Sequence, residues 1–429
     1  MRPTMMLRLG YIQRGHIGTL TAVFSLQFLV LLPLLCYTMP FSFYFKLTTR
    51  RTDASKQAVL LNRERVKRAR SYFENLSTDN SRHYTSLLEK GNQVFLAVAV
   101  LTVNRPRSGD GNRTMGYLVQ SATALDKFAK SREFMGKTFV FICNVDVKPL
   151  SHKDAGDLKR YLPFTERYGS SDFHPGDFHV PNNKTVTYGQ LFHEDVYEKE
   201  TYDYMYCMRV AQSLRPRYIL MVEDDAVAHP DLAPVLHYTL GNHFGSNTDM
   251  IQQNKSFAYL KLYYPQRWQG FAFEMIRLLE LCSISCIGGG CFVFVMYVLT
   301  FVVKGRLMGN KLYGRYFLMG MLFLMLTAMA VGRQNVLELR RVSKYLYQFR
   351  PSPGCCTQAM LYPTHMVRPL VSHLAAAPPG THTDLIIYNF TRTTGTPAFQ
   401  LEPNLFYHVG MYTSLKIGNK RPDEFLFHL

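Results

Sequence analysis

Two uncharged apolar runs, residues 281–303 and 316–332, lie deep inside a chain of 429 residues and enclose Lys304, Arg306, Lys311 and Arg315 with no acid between them. A helix needs roughly 20 apolar residues to cross about 30 Å of hydrocarbon at 1.5 Å per residue. Both runs read as membrane spans, and the short basic stretch between them, residues 304–315, reads as a cytoplasmic loop. A hairpin of two spans returns the chain to its starting side, so residues 46–280 and 333–429 share a compartment. The composition agrees: 47% hydrophobic content excludes a disordered chain, and 19% charged content is low for a soluble protein.

Near the N-terminus, residues 17–45 carry no charge and contain FSLQFLVLLPLLCY. The run ends on Pro40, Phe41 and further aromatics instead of a small-residue cleavage site, so it reads as an uncleaved signal anchor behind a cytoplasmic tail, residues 1–16. Arg2, Arg8 and Arg14 precede it while Lys46, Arg50 and Arg51 follow, so charge alone does not orient it. Asn-x-Ser/Thr acceptors at Asn75, Asn112, Asn183, Asn254 and Asn389 all avoid the apolar runs and the basic loop. Their placement puts both soluble parts in the secretory lumen. Residues 46–90 form a stem in which the basic stretch 50–70 reads as a solvated helical spacer.

Eight cysteines are too few for a disulfide scaffold in a chain this long. Cys36, Cys282, Cys286 and Cys291 lie in or beside apolar runs, as small hydrophobes or lipidation sites. Cys143, Cys207, Cys355 and Cys356 are the disulfide candidates, with three pairings open. No CxxC pair has zinc spacing.

Within the soluble parts, QVFLAVAVLTV (93–103), KTFVFICNVD (137–146) and RYILMV (217–222) read as buried parallel strands. Helical stretches near residues 115–132 and 195–214 alternate with them, which predicts an α/β layer with a mostly parallel sheet. The third strand runs into Glu223, Asp224 and Asp225. Like charges at adjacent positions repel, and a divalent cation with hard oxygen ligands removes that cost. The competing reading is a solvated turn, with Asp231 capping the following helix.

Phosphate-binding loops of the GxxxxGK[ST] type, GxGxxG, GxSxG and HExxH are absent, which removes support for an ATPase, a dinucleotide enzyme, a serine hydrolase and a zincin. A paired-carboxylate glycosidase has no linear motif and stays open.

The segment DYMYCMRVAQSLRPRYILMVEDDAV (203–227) resembles the helix, strand and acidic motif of N-acetylglucosaminyltransferase IV-type enzymes, and PNLFYHVGMYTSL (403–415) resembles their phenylalanine-histidine-glycine segment. With the inserted hairpin, residues 90–429 resemble the Golgi GPI N-acetylgalactosamine transferase family. The resemblance implies an α/β, GT-A-like glycosyltransferase domain split by a two-helix hairpin behind an N-terminal anchor. It implies Mn²⁺, a UDP-GalNAc donor, GPI-anchored proteins as acceptors, β-1,4 inverting transfer to the first mannose, and residence in the Golgi membrane; no nucleic-acid partner is expected. It places Asp225, Glu223 and His408 on the metal, Glu223 or Asp224 near the donor, and Val103, Asn104, Arg105 and Asp146 around uracil and ribose. Glu223 departs from the family pattern, which often has Asp there. For the base that takes the acceptor proton, Asp384 in THTDLIIYNF is the candidate, with Glu402 and Asp423 as rivals, and Asp224 orients the sugar. Another lumenal UDP-sugar transferase, such as an N-acetylglucosaminyltransferase, and a non-catalytic lipid-glycan binder are the alternatives. The formal charge of +18 suits a nucleotide donor and a phosphate-bearing lipid without identifying either.

Overall fold

Strand β1 (Leu96–Thr102) is buried at every position but Leu101, and β2 (Thr138–Asn144) at every position. Both are continuous apolar runs because both faces of their sheet are covered. The computed structural model describes residues 18, 21–77, 80–89, 94–105, 115–168, 195–244, 257–304, 310–411 and 422–427. Two compact units emerge, residues 1–55 with 266–339 and residues 56–265 with 340–429.

The second unit contains an eight-stranded sheet in the order β3-β2-β1-β4-β8-β6-β9-β7. β3 (Phe164–Glu166), β2, β1 and β4 (Tyr218–Glu223) run parallel. The other half departs from the expected parallel layer. β8 (Ala359–Pro363) is antiparallel to both β4 and β6 (Leu260–Lys261), β6 pairs parallel with β9 (Phe399–Glu402), and β7 (Gln348–Pro351) closes the edge antiparallel. The sheet is therefore mixed. β5 (Ala226–Ala228) leaves it to pair antiparallel with β10 (Phe406–His408).

Helices Tyr117–Ala129 and Val196–Ser213 both pack on β1. The second begins where Asp195 accepts hydrogen bonds from the amides of Tyr197 and Glu198, an N-cap that satisfies two orphan donors. The disulfide Cys143–Cys207 ties this helix to β2. Asp231 does not cap the helix Leu232–Asn242 as expected; its carboxylate accepts from the Tyr347 hydroxyl instead.

The basic stem is a helix, Arg51–Glu74, and from residue 56 onward it is no solvated spacer. Ala58, Asn62, Arg65, Ala69 and Phe73 are buried along one stripe. Asn62 donates to the Met115 carbonyl, and Tyr72 donates to Asp126.

In the first unit, Met275–Val302 and Leu312–Val331 are each long and apolar enough to cross a membrane. They lie in the helices Met275–Lys304 and Asn310–Val331, which pack so tightly that a Cβ on Gly288 would lie 2.8 Å from the Gly320 carbonyl oxygen. Small residues at such crossings let helix backbones approach where lipid supplies no hydrophobic drive. Arg333, 1% exposed, pairs with Glu280 at 2.9 Å and donates to the Gln269 carbonyl. The apolar stretch expected over residues 17–45 contains a shorter helical segment, Thr21–Cys36, and a second helix, Phe43–Thr48, capped by Ser42. Residues 1–17, residues 305–309 of the basic loop, Asn112, Asn183 and Asn254 lie outside the described residues. Asn75 and Asn389 are exposed.

Candidate active site at the carboxyl ends of β1 and β4

Ligands of α/β sheets sit at the carboxyl ends of strands, where the chain leaves the sheet. Here β1 ends at Thr102 and β4 at Glu223. The amide of Asp224 donates to the Leu101 carbonyl, which holds the acidic turn against the end of β1.

Asp224 and Asp225 are each only 3% exposed. Arg105 answers both: Nη2 lies 2.7 Å from Asp224 Oδ1, and Nη1 donates to Asp225 Oδ2 at 2.7 Å. Burial alone would lower the guanidinium pKa, but the Asp224, Asp225 and Glu223 charges outweigh it and raise the value. Its Cζ lies 5.7 Å from the centroid of the Tyr117 ring, a cation–π contact. The Tyr117 hydroxyl accepts from the Met411 amide.

Thr102 Oγ1 donates to Asp224 Oδ2 at 2.7 Å and lies 2.7 Å from His152 Nε2. A hydroxyl has one proton, so with that proton on Asp224 the imidazole Nε2–H donates to Thr102. Burial lowers the His152 pKa, in keeping with this neutral tautomer.

β5 and β10 bring the late histidine in. Pairing of His408 with Ala226 sets His408 Nε2 3.2 Å from Asp225 Oδ2. Gly410 follows, and a Cβ there would lie 2.0 Å from Asp225 Oδ2. Only glycine lets the backbone approach this carboxylate.

Glu223 is turned away. It accepts from Thr357 Oγ1 at 2.6 Å, and its pKa is pushed up to about 8, first by burial and then by the Asp225 charge. Asp224 is pushed up to about 6 by burial, against the pull of Arg105. Asp384 sits in the first turn of helix Thr383–Thr394, where Oδ2 accepts from the Cys356 amide and Oδ1 from the Leu385 amide. Glu200, on helix Val196–Ser213, lies within electrostatic reach of both Asp384 and Glu223, and burial followed by Asp384 pushes its pKa up to about 7.

Asp146 accepts from the amides of Asn104 and Lys148, so it shapes the loop carrying Asn104 and Arg105. Val103, Asn104, Arg105, Tyr117, His152 and Asp224 line one small cleft. A larger cavity, about 340 Å³, lies elsewhere among Arg65, Phe128, Val227 and Pro230. It contains no carboxylate, so the acidic cleft is the better place for chemistry. Sequence reasoning reached Arg105, Asp224, Asp225 and His408 and missed Thr102, His152, Glu200 and Thr357.

The residues fit a divalent ion in part. Asp225 and His408 offer a hard oxygen and an imidazole nitrogen on converging elements. Glu223 does not join them, and among the described residues no group of three or more His, Cys, Asp or Glu side chains gathers for a metal.

The disulfide candidates divide. Cys143 and Cys207 are bonded, while the sulfurs of Cys355 and Cys356 lie 2.7 Å apart without a disulfide bond.

A mixed α/β domain with an arginine-clamped acidic turn at the end of its central strands, in a chain that also carries two helices able to cross a membrane, has the arrangement of an α/β enzyme. The chain belongs to the family described as GPI-N-acetylgalactosamine transferase PGAP4, whose model matches residues 96–407. That match includes β1, the acidic turn and Asp384, and ends one residue before His408. By family, the protein is a glycosyltransferase of GPI-related substrates.

Proposed function

We propose that this chain transfers N-acetylgalactosamine from UDP-GalNAc to the first mannose of the GPI glycan, with inversion to a β-1,4 linkage, in the Golgi lumen. The observation that supports it best is the Arg105 clamp on Asp224 and Asp225 at the end of β4, inside a family-matched domain.

In this reading Asp225 and His408 hold Mn²⁺, which supplies positive charge for the diphosphate leaving group. Arg105 fixes both carboxylates in one orientation. His152, through Thr102, keeps Asp224 an acceptor, available to a donor-sugar hydroxyl. Val103, Asn104 and Arg105 border the nucleotide, with Asp146 holding their loop in shape.

An inverting transfer needs a carboxylate to receive the acceptor proton. Asp384 is the proposed base. The Cys356 and Leu385 amides hold its two oxygens in place, and Glu200 is its proposed partner, because a carboxylate with a pKa near 7 stores a proton at operating pH. The asparagine acceptors, including Asn75 and Asn389, belong to the lumenal placement.

A donor screen tests the whole reading: the purified full-length protein, with Mn²⁺ and a GPI acceptor, is supplied with a series of UDP-sugars. UDP release with UDP-GalNAc, dependent on the acceptor, is the expected result. Preference for UDP-N-acetylglucosamine would move the chain to the alternative transferase reading, and no turnover with any donor would favour the non-catalytic binder.

A further inference from the structure

Cys355 and Cys356 occupy a loop that is fixed on every side. The buried Lys261 amine donates to the carbonyls of Pro353 and Cys355. A Cβ on Gly354 would lie 2.9 Å from the Tyr388 ring, so the loop is pressed onto helix Thr383–Thr394. The Cys356 amide donates to Asp384 Oδ2 at 2.9 Å, and the next residue, Thr357, donates to Glu223 Oε1 at 2.6 Å. Two adjacent residues of this loop therefore grip two of the acidic groups of the site.

Cys356 has φ +75°, the left-handed region that a residue with a side chain rarely adopts. Strained backbone of this kind persists where the surroundings over-determine it. The thiols are 2.7 Å apart and both half-buried, so they touch each other and are open to small reagents. Cys143–Cys207 is already bonded, and structural disulfides belong to oxidising compartments.

We propose that Cys355 and Cys356 are an oxidation site: the pair closes to a vicinal disulfide that locks the Cys356 amide on Asp384 and the Thr357 hydroxyl on Glu223. Closure proceeds by thiol–disulfide exchange with a small-molecule or protein disulfide as oxidant. The Cys355 thiolate attacks one sulfur of that disulfide and releases the other as a thiolate. The Cys356 thiolate then attacks Cys355 Sγ, forming the bond between the two residues and expelling the second thiolate. Two S–H protons are lost, two electrons pass to the oxidant, and the oxidant leaves as a dithiol or as two thiols. Reduction opens the ring and returns the loop to non-covalent contacts.

The consequence for transfer rests on the proposed function, but the chemical readout does not. The full-length protein is purified without reductant, denatured in N-ethylmaleimide, reduced, and labelled with a second maleimide of different mass. The peptide containing both cysteines is expected to carry only the second label, as the peptides of Cys143 and Cys207 do. The first label on both cysteines of that peptide would overturn the proposal, and so would linkage of either one to another cysteine. A second measurement follows turnover of the native protein before and after mild reductant, beside a Cys355→Ser/Cys356→Ser double variant. Reduction is expected to slow transfer several-fold with UDP binding retained, and the double variant should be slow from the start and indifferent to reductant. Equal, reductant-insensitive turnover in the native protein and the variant would overturn the link to the acidic groups even if the disulfide is found.

Discussion

Arg105 and Asp225 are joined at 2.7 Å, and the same guanidinium reaches Asp224 at the same distance, so one cation holds two neighbouring buried carboxylates. Removing one partner of a buried ion pair costs about 3–5 kcal/mol, because charge is left in a dry setting. Arg105→Gln is therefore expected to lower the melting temperature by several degrees and to abolish transfer. Arg105→Lys should rescue stability in part, since a single ammonium lacks the fork that spans both acids. Melting unchanged in Arg105→Gln would show that the clamp is not structural.

Asp225→Asn keeps the shape of the side chain and removes its charge. Arg105 keeps its pairing with Asp224 in this variant, so transfer is expected to collapse while cellular delivery, read by glycosylation state and localisation, stays normal. A loss of export as large as the loss of activity would favour a structural turn.

Gly410→Ala makes an independent test of the same carboxylate. A methyl group placed 2.0 Å from Asp225 Oδ2 forces that side chain to move. Turnover should fall sharply, in contrast to Gly241→Ala, where nothing lies within 4 Å of the added Cβ.

Glu200 gives a pH signature. Its folded pKa, about 7, lies above its ordinary value of 4.5, so the folded state binds the proton more tightly than the unfolded chain. Stability from this group is present below pH 4.5, is lost as pH rises towards 7, and is flat above that. Glu200→Gln should remove this slope and stabilise the protein at pH 8 by about 1–3 kcal/mol, measured by thermal unfolding across pH. A slope unchanged in the variant would assign it to another group.

The hairpin makes a topological prediction. An epitope inserted in residues 304–315 should be reached by antibody with only the plasma membrane opened, and one after Leu429 only once the inner membranes are opened. Access to the loop solely from the lumen would overturn the hairpin orientation.

The legible parts of the fold are those where burial is two-sided. β1, β2 and β4 read directly from sequence because each is a continuous apolar run apart from its end residues, whereas β6, with two residues, and β10, with three, have no period to detect. The stem helix was opaque for another reason. Its buried stripe is Ala58, Asn62, Arg65 and Ala69, small and polar residues that look like a solvated face, before it ends on Phe73. In the site, the acidic turn stood out because three carboxylates end an apolar strand. Thr102 and His152 did not, because a threonine ending a strand and a histidine in a charged loop have no pattern, and their relation to Asp224 is created only by folding. Thr357 lies 134 residues from Glu223, beyond any local signal.

The position of β8 has a consequence for how the protein is made. β8 lies between β4 and β6, yet it is encoded after both helices long and apolar enough to cross a membrane. As the chain emerges, β1, β2 and β4 can pair, but the flank of β4 stays bare, an open edge that invites pairing with other chains. Completion of the sheet must wait until both helices have been synthesised and residues 359–363 have followed them. Completion of this domain is thus timed by synthesis of the two apolar helices, and a chain stalled before residue 359 should accumulate on chaperones as a half-sheet even when the acidic turn is intact.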